Sequence, residues 1–355
     1  MTAPVPEPVP EPGSASVPDP ASEPVPESAP RPGPRSRSGP RPGGAAPPDP
    51  GLHGPGSVTW NVHGDPVMWI AGIRALWLQA LHPRAVRGVL ANSDFRQDPW
   101  GRLLRTADFV GTVTYGTTEA AERAGARVRG IHARLGADDP TTGTPFRVDD
   151  PDLLLWVHCA QIDSFLHVLR RSGVRLTDAQ ADAYVAENRR SARLVGLDPE
   201  RVPDSTAALA AYFRKVLPEL AAGPDARAVD AFLRRPPVPA VLRPFRALLW
   251  PPVAALAYGC LPGYAHHLYG RAVPPAHRVT RRLRLTGLLL RAVPARLRWR
   301  LPPGHILRAM ARLGPGSRPS PYTLHGGTAI LVGPGRARHH DGGGNTTWRN
   351  WRKPD

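Results

Sequence analysis

The sequence has little of several features that would assign it to a familiar class of protein. It contains two cysteines among 355 residues, and no CxxC pair or Cys/His cluster. Two cysteines are too few for a disulfide framework, and without a CxxC pair or a Cys/His cluster the chain cannot form a zinc finger. The most apolar stretch, near residues 247–262, is interrupted by Pro251 and Pro252 and falls short of the roughly 20 residues that a spanning helix needs. A membrane-spanning helix is therefore not expected.

The N-terminus also lacks the basic region and apolar core of a secretory signal, since Glu7 and Glu11 stand there among prolines. We therefore expect a cytoplasmic protein. Its first 56 residues hold 18 of the 45 prolines and few apolar side chains, so residues 1–56 should form a disordered, dispensable tail. Residues 313–355, rich in glycine and arginine, should form a low-complexity basic tail. The folded domain is then expected at residues 57–312.

Lysine is scarce as well, although the net charge is +17. The excess lies in residues 221–355, which carry 22 basic and 4 acidic residues. A GC-rich coding bias produces such an arginine excess without any functional demand. No nucleic-acid-binding motif and no aromatic platform accompany the charge, so nucleic acid is not an expected partner.

Helical periodicity runs through most of residues 57–312. Ile70, Ile73, Trp77 and Leu81 stand at steps of three and four and define one buried face. No alternating strand pattern of useful length appears, which predicts an all-α fold. Residues suited to begin a helix recur along the chain, and we expect caps at Asp98, Thr118, Asp150, Thr177 with Gln180, and Ser205.

Two arginines and a hydroxyl share one face of the helix that follows Asp98. Arg102, Arg105 and Thr106 lie there with apolar neighbours, which predicts that they point inward. Buried guanidinium groups need an anion, and a carboxylate suits their fork geometry. Ordinary salt bridges, for example to Asp108, are the alternative.

A histidine, His132, lies on the apolar arc of the next helix. Such a residue is usually a satisfied core histidine. The basic face of the preceding helix raises a second interpretation, because haem carboxylates need cations while haem iron needs an imidazole.

The spacing of these residues resembles the MpaB/rubber-oxygenase catalytic domain over about residues 56–270. The matching segments are Gln79-x-x-His82-Pro83, Arg102-x-x-Arg105-Thr106, His132, Trp156-Val157-His158 and Leu194-Val195-Gly196-Leu197. The resemblance implies an all-helical, globin-like fold, a b-type haem, and cleavage of carbon–carbon double bonds in an apolar, isoprenoid-like substrate by dioxygen.

The resemblance also implies roles for individual residues. His132 becomes the proximal ligand of the haem iron, and Arg102, Arg105 and Thr106 become catalytic-pocket residues. His82 and His158 become candidate cofactor-binding residues. From the sequence itself, His82 is equally suited to cap the helix after Pro83, and His158 to be a core histidine.

The chain departs from the family pattern at two places; the missing Glu favours a different class of function, whereas the intact Arg102-x-x-Arg105-Thr106 and His132 favour the enzyme. Arg105 stands where rubber oxygenases commonly have lysine, and no Glu lies between Trp60 and Trp100, where only Asp65, Asp94 and Asp98 are acidic. The alternative is a non-catalytic haem or lipophilic-ligand binding protein of the same fold. Residues 271–312 are basic and contain leucines, which suggests peripheral contact with an anionic membrane. The other interpretation is that these leucines complete the core of the domain and the arginines are solvated.

Overall fold

The computed structural model describes residues 47–92, 99–300, 304–322 and 324. Most of these residues are helical, which confirms the expected all-α fold. The first helices are α1 (Val58–His63), α2 (Met68–Gln79), α3 (Pro83–Ala91), α4 (Pro99–Tyr115) and α5 (Thr118–His132). The next are α6 (Pro151–Arg171), α7 (Asp178–Glu187), α8 (Arg189–Leu194), α9 (Thr206–Val216) and α10 (Pro224–Arg234). The last are α11 (Arg243–Gly259), α12 (Gly263–Leu268), α13 (Ala276–Ala292), α14 (Ala295–Arg298) and α15 (His305–Leu313).

A small hairpin interrupts this pattern between α5 and α6. Strands β1 (Gly136–Asp138) and β2 (Pro145–Arg147) pair antiparallel, with Gly136 opposite Arg147. Three residues a strand are too few to show the alternation by which a strand is recognised in a sequence. Short 3-10 helices lie at Pro199–Arg201, Leu217–Glu219, Ala240–Leu242 and Pro315–Ser317.

The centre of the core lies where α2 packs along α6. Both helices contribute fully buried tryptophans, Trp77 and Trp156. Each indole N–H has a partner, because Trp77 Nε1 donates to Asp230 Oδ1 at 3.0 Å and Trp156 Nε1 donates to the Gln79 carbonyl at 3.0 Å. Satisfied donors allow these large side chains to be buried without an unpaired polar group.

Most of the predicted helix starts are confirmed. Asp150 caps α6, Ser205 caps α9, and Thr177 with Gln180 forms a capping box at α7. Asp98 lies outside the described residues. The prediction at Thr118 was wrong by one residue, because the Thr117 hydroxyl accepts the Ala120 N–H at 3.1 Å.

The folded part extends beyond both predicted domain boundaries. Residues 47–56 contact the helices: the Asp49 carboxylate accepts the Thr118 N–H at 2.7 Å, and His53 Nε2 lies 3.0 Å from Ser191 Oγ. At the other end, Trp60 Nε1 donates to the Ser317 carbonyl at 2.8 Å. These segments are poor in aliphatic residues, and they are held by polar contacts that composition does not reveal. Residues 1–46 and 325–355, most of the two predicted tails, lie outside the described residues.

Within the described ranges, every helix is too short or too polar to cross a membrane.

Candidate functional site

His132 is the last residue of α5 and is partly buried there. Its Nδ1 atom is buried and has no hydrogen-bond partner among the residues that the structure describes. Burial lowers the pKa of His132; Asp149 acts in the opposite direction, and the charge of Arg102 lowers this pKa further. The imidazole is therefore neutral at neutral pH, which is the form that can bind a metal ion.

The fold brings Arg102 close to His132. Helices α4 and α5 pack against each other, and Gly116 joins them, so the first turns of α4 lie beside the end of α5. Arg102 is half-buried, and burial followed by the charge of Arg105 lowers the pKa of its guanidinium. A partly desolvated guanidinium beside a second positive charge favours a bound anion at this place.

The prediction that Arg105 and Thr106 point inward was wrong. Both are exposed, and the Thr106 hydroxyl donates to the Arg102 carbonyl at 3.1 Å. Helix α4 buries Val113, Thr114 and Tyr115 near its C-terminal end instead. The helical period fixed which residues share a face, but the neighbouring elements determine which face is covered.

His82 acts as the N-cap of α3. Its Nδ1 atom accepts the Ala85 N–H at 3.4 Å, and its Nε2 atom lies 3.7 Å from a Glu219 carboxylate oxygen. Burial is the main cause of its lowered pKa. The capping interpretation of His82 is confirmed, and these contacts of its two ring nitrogens include neither Arg102 nor His132.

His158 lies in the middle of α6 and is half-buried. Burial alone lowers its pKa to about 4, so its ring is neutral at neutral pH. The adjacent Cys159 is buried, and burial raises the pKa of its thiol far above neutral. A protonated, buried thiol is not a nucleophile, which agrees with a packing role for Cys159.

Asp65, one of the acidic residues upstream of Arg102, already forms an ion pair. Both Asp65 carboxylate oxygens accept from Arg291, at 2.8 and 3.2 Å, and one also accepts the Val67 N–H at 3.0 Å. Asp65 therefore serves an ion pair away from His132. Asp94 and Asp98 lie outside the described residues.

Sequence reasoning missed Asp149, which lies near His132. Its carboxylate is held by Arg147, whose Nε and Nη2 atoms donate at 2.8 Å each. Asp149 follows the hairpin, and its carboxylate raises the pKa of His132, against the effect of burial. The hairpin itself was not recognised, so the sequence offered no signal for this contact.

The described residues contain no group of three or more His, Cys, Asp or Glu side chains placed to hold a metal ion by themselves. A haem supplies four ring nitrogens itself and needs one imidazole from the protein. His132 fits that requirement because its ring is neutral and one nitrogen has no partner. Arg102 fits the requirement of a cation for a haem carboxylate.

Comparison with known proteins assigns the chain to a family. Residues 60–311 match the family model described as ER-bound oxygenase mpaB/B'/Rubber oxygenase, catalytic domain. The match covers more than half of the chain, and the chain belongs to this oxygenase family. No curated protein and no solved structure matches it.

Proposed function

We propose that this protein is a haem b-dependent oxygenase that uses dioxygen on a small apolar substrate, an alkene or isoprenoid-like compound. The observation that carries the proposal is the neutral, unpartnered imidazole of His132 beside Arg102, in a chain of an oxygenase family. A bound haem b would supply redox-active iron for the reaction of dioxygen with a carbon–carbon double bond.

The residues of this chain would then have three tasks. His132 would offer a nitrogen lone pair to the haem iron. Arg102 holds a carboxylate of the cofactor through its guanidinium fork. Ile131, which precedes His132 in the chain and is 43% exposed, would offer apolar surface to the substrate.

One observation favours the second candidate, a non-catalytic haem or lipophilic-ligand binding protein. Arg105 and Thr106 are exposed and belong to the outer surface of α4. A guanidinium at position 105 also cannot release its proton as a lysine can. In that case His132 and Arg102 hold a ligand, and no reaction follows.

The absorption spectrum of the purified protein tests the cofactor directly. We expect a Soret band that shifts with dithionite and carbon monoxide. His132→Ala should lower the haem affinity about tenfold or more, because the iron loses its protein ligand, while circular dichroism stays helical. His158→Ala is the matched control, and it should keep the haem and lower the melting temperature.

Full haem retention with an unchanged spectrum in His132→Ala would contradict the ligand assignment. Product analysis with candidate alkenes under dioxygen separates the two functions. Oxidised cleavage products from the haem-loaded protein support the oxygenase, and their complete absence across alkenes that bind supports the binding protein.

We further propose a cytoplasmic protein that touches an anionic membrane at its surface. Helix α13 supports this, because it combines arginines with leucines that are more than half exposed: Leu285, Leu288 and Leu289. An apolar substrate would reach the protein from such a surface.

A further inference from the structure

A polar cleft of about 480 Å³ lies away from the contacts of His132. We call it the Arg298 cleft; it is lined by Gly64, Asp65, Arg291, Arg298, Gly316, Arg318, Pro319, Ser320, Pro321 and Tyr322. Six of its ten lining residues come from residues 316–322, beyond residue 311 where the family match ends. The cleft is therefore built partly by a segment that the family model does not cover.

The Arg298 cleft is lined by more positive than negative side chains. Arg291 and Asp65 neutralise each other in a two-point ion pair, with side chains only 12% and 2% exposed. Arg298 and Arg318 line the same cleft, and no carboxylate of the described residues pairs with either. Two positive charges are thus left over.

Both surplus guanidinium groups are held on the same aromatic ring. The guanidinium carbons of Arg298 and Arg318 lie 5.5 and 5.6 Å from the ring centroid of Trp299. Trp299 is buried and fixed, since its Nε1 donates to the Gly64 carbonyl at 3.2 Å. A cation above an aromatic ring is stabilised there, so Trp299 positions both arginines, and the charge of Arg318 acts on Arg298.

Arg298 also has unused hydrogen-bonding capacity. One of its Nη atoms donates to the Arg291 carbonyl at 3.0 Å, while its buried Nε has no partner within the described part of the chain. A buried donor without an acceptor is costly, and charged donors are the most costly. Burial lowers the pKa of Arg298; the charge of Asp65, which is already paired with Arg291, opposes this shift, and the charges of Arg318 and Arg291 add to it.

The segment that carries Arg318 is firmly attached. Ser320 N–H donates to Asn61 Oδ1 at 2.9 Å, and Gly64 lets Pro319 approach closely, because a Cβ at residue 64 would lie 2.7 Å from the Pro319 side chain. The cleft therefore exists before any ligand arrives, which reduces the cost of binding.

We propose that the Arg298 cleft binds a phosphate-bearing ligand, with a phosphate or diphosphate group held between Arg298 and Arg318. Guanidinium forks match phosphate oxygens in geometry, and the surplus of two positive charges matches a doubly charged phosphate. The cleft has room for more than a single phosphate, so a diphosphate group or an organic phosphate fits. This site is independent of the haem.

The test is a calorimetric titration of the full chain with inorganic pyrophosphate at 150 mM salt. We expect one site, and we expect Arg298→Ala and Arg318→Ala each to weaken binding about tenfold or more. Arg318 is exposed and makes no hydrogen bond with its side chain, so its variant should fold normally even if Arg298→Ala does not.

Arg296→Ala is the matched control, because it removes an equal charge from an exposed position on α14 outside the cleft. It should change the affinity less than about twofold. Arg298→Lys separates charge from geometry, and it should bind more weakly than the unchanged chain. No saturable binding of pyrophosphate, or an equal loss in Arg296→Ala, would overturn the proposal.

Vesicles containing phosphatidic acid distinguish two sources of the phosphate. Displacement of the chain from these vesicles by pyrophosphate, together with reduced sedimentation of Arg318→Ala, identifies a lipid headgroup. Pyrophosphate binding that the vesicles do not compete with identifies a soluble phosphate compound. Either result supports the phosphate site, and failure of both probes rejects it.

Discussion

His63 shows how a single buried residue makes the stability of this protein depend on pH. Its Nδ1 atom lies 2.8 Å from Thr114 Oγ1, and its Nε2 atom lies 3.0 Å from the Tyr184 hydroxyl. The Thr114 hydroxyl already donates to the Val110 carbonyl, so it accepts from Nδ1–H. Nε2 then accepts from Tyr184, and the ring is neutral. Burial and the charge of His53 lower the pKa of His63 from 6.5 to about 3.

A folded-state pKa below the unfolded one stabilises the protein above pH 6.5, and this contribution is lost as the pH falls towards 3. Between pH 7 and pH 5, unchanged protein should therefore lose about 2 kcal/mol more of its free energy of unfolding than His63→Gln. Urea denaturation at both pH values measures the difference. His277→Ala, an exposed site, is the control and should follow unchanged protein. The same pH dependence in His63→Gln would show that His63 is not the titrating group.

At the scale of elements, one glycine allows α5 to approach α8. A Cβ at Gly125 would lie 2.6 Å from the Leu194 carbonyl oxygen, whereas a Cβ at Gly130 would meet nothing within 4 Å. Two glycines of α5 could allow a neighbouring helix to approach closely. The structure uses only Gly125 for this purpose.

The two glycines therefore make a matched pair of variants. Gly125→Ala should destabilise the protein by about 1–3 kcal/mol, because α5 and α8 must separate. Gly130→Ala should stabilise it by about 0.5–1 kcal/mol, since alanine loses less backbone entropy in a helix. Thermal unfolding checks both. Equal shifts in the same direction would mean that the approach to Leu194 does not constrain α5.

Helix starts could be predicted from the sequence because capping is a local interaction. Asp150, Thr177 and Ser205 each bind an N–H within three residues. The break between α7 and α8 could not be predicted, because a distant contact is made there. At that break the Asn188 side chain donates to Thr59 Oγ1 at 3.1 Å, a residue of α1.

In the candidate site, too, some features could be predicted from the sequence and others could not. The proximity of Arg102 and His132 follows from two helices joined by a short turn, and it was predictable. The exposure of Arg105 and Thr106 depends on which elements cover α4, and the sequence pattern does not contain that information.

At the scale of the whole molecule, the distribution of acidic residues is strongly uneven. No Asp or Glu occurs between Asp230 and Asp341, a stretch with eighteen arginines. Leucines are exposed in the same stretch, with Leu288 at 54% and Leu289 at 71% on α13. Arginines attract anionic lipid headgroups while exposed leucines enter the acyl boundary.

We therefore expect the protein to sediment with anionic vesicles at low salt and not with neutral ones, and added salt should weaken the binding. Replacing Leu288 and Leu289 by serine should reduce it, because the apolar contribution is lost. Leu104→Ser, on α4, is the control and should bind as the unchanged chain does. No sedimentation at low salt would reject the membrane contact.

The contact between Trp60 and Ser317 has a consequence for the synthesis of the chain. The indole of α1 finds its acceptor 257 residues later. At about 5–20 residues per second, a ribosome needs roughly 13 to 50 seconds to add that length. During this time the first helix has emerged but lacks the residues that cover Trp60. The N-terminal helix is thus completed among the last parts of the domain, although it is made first.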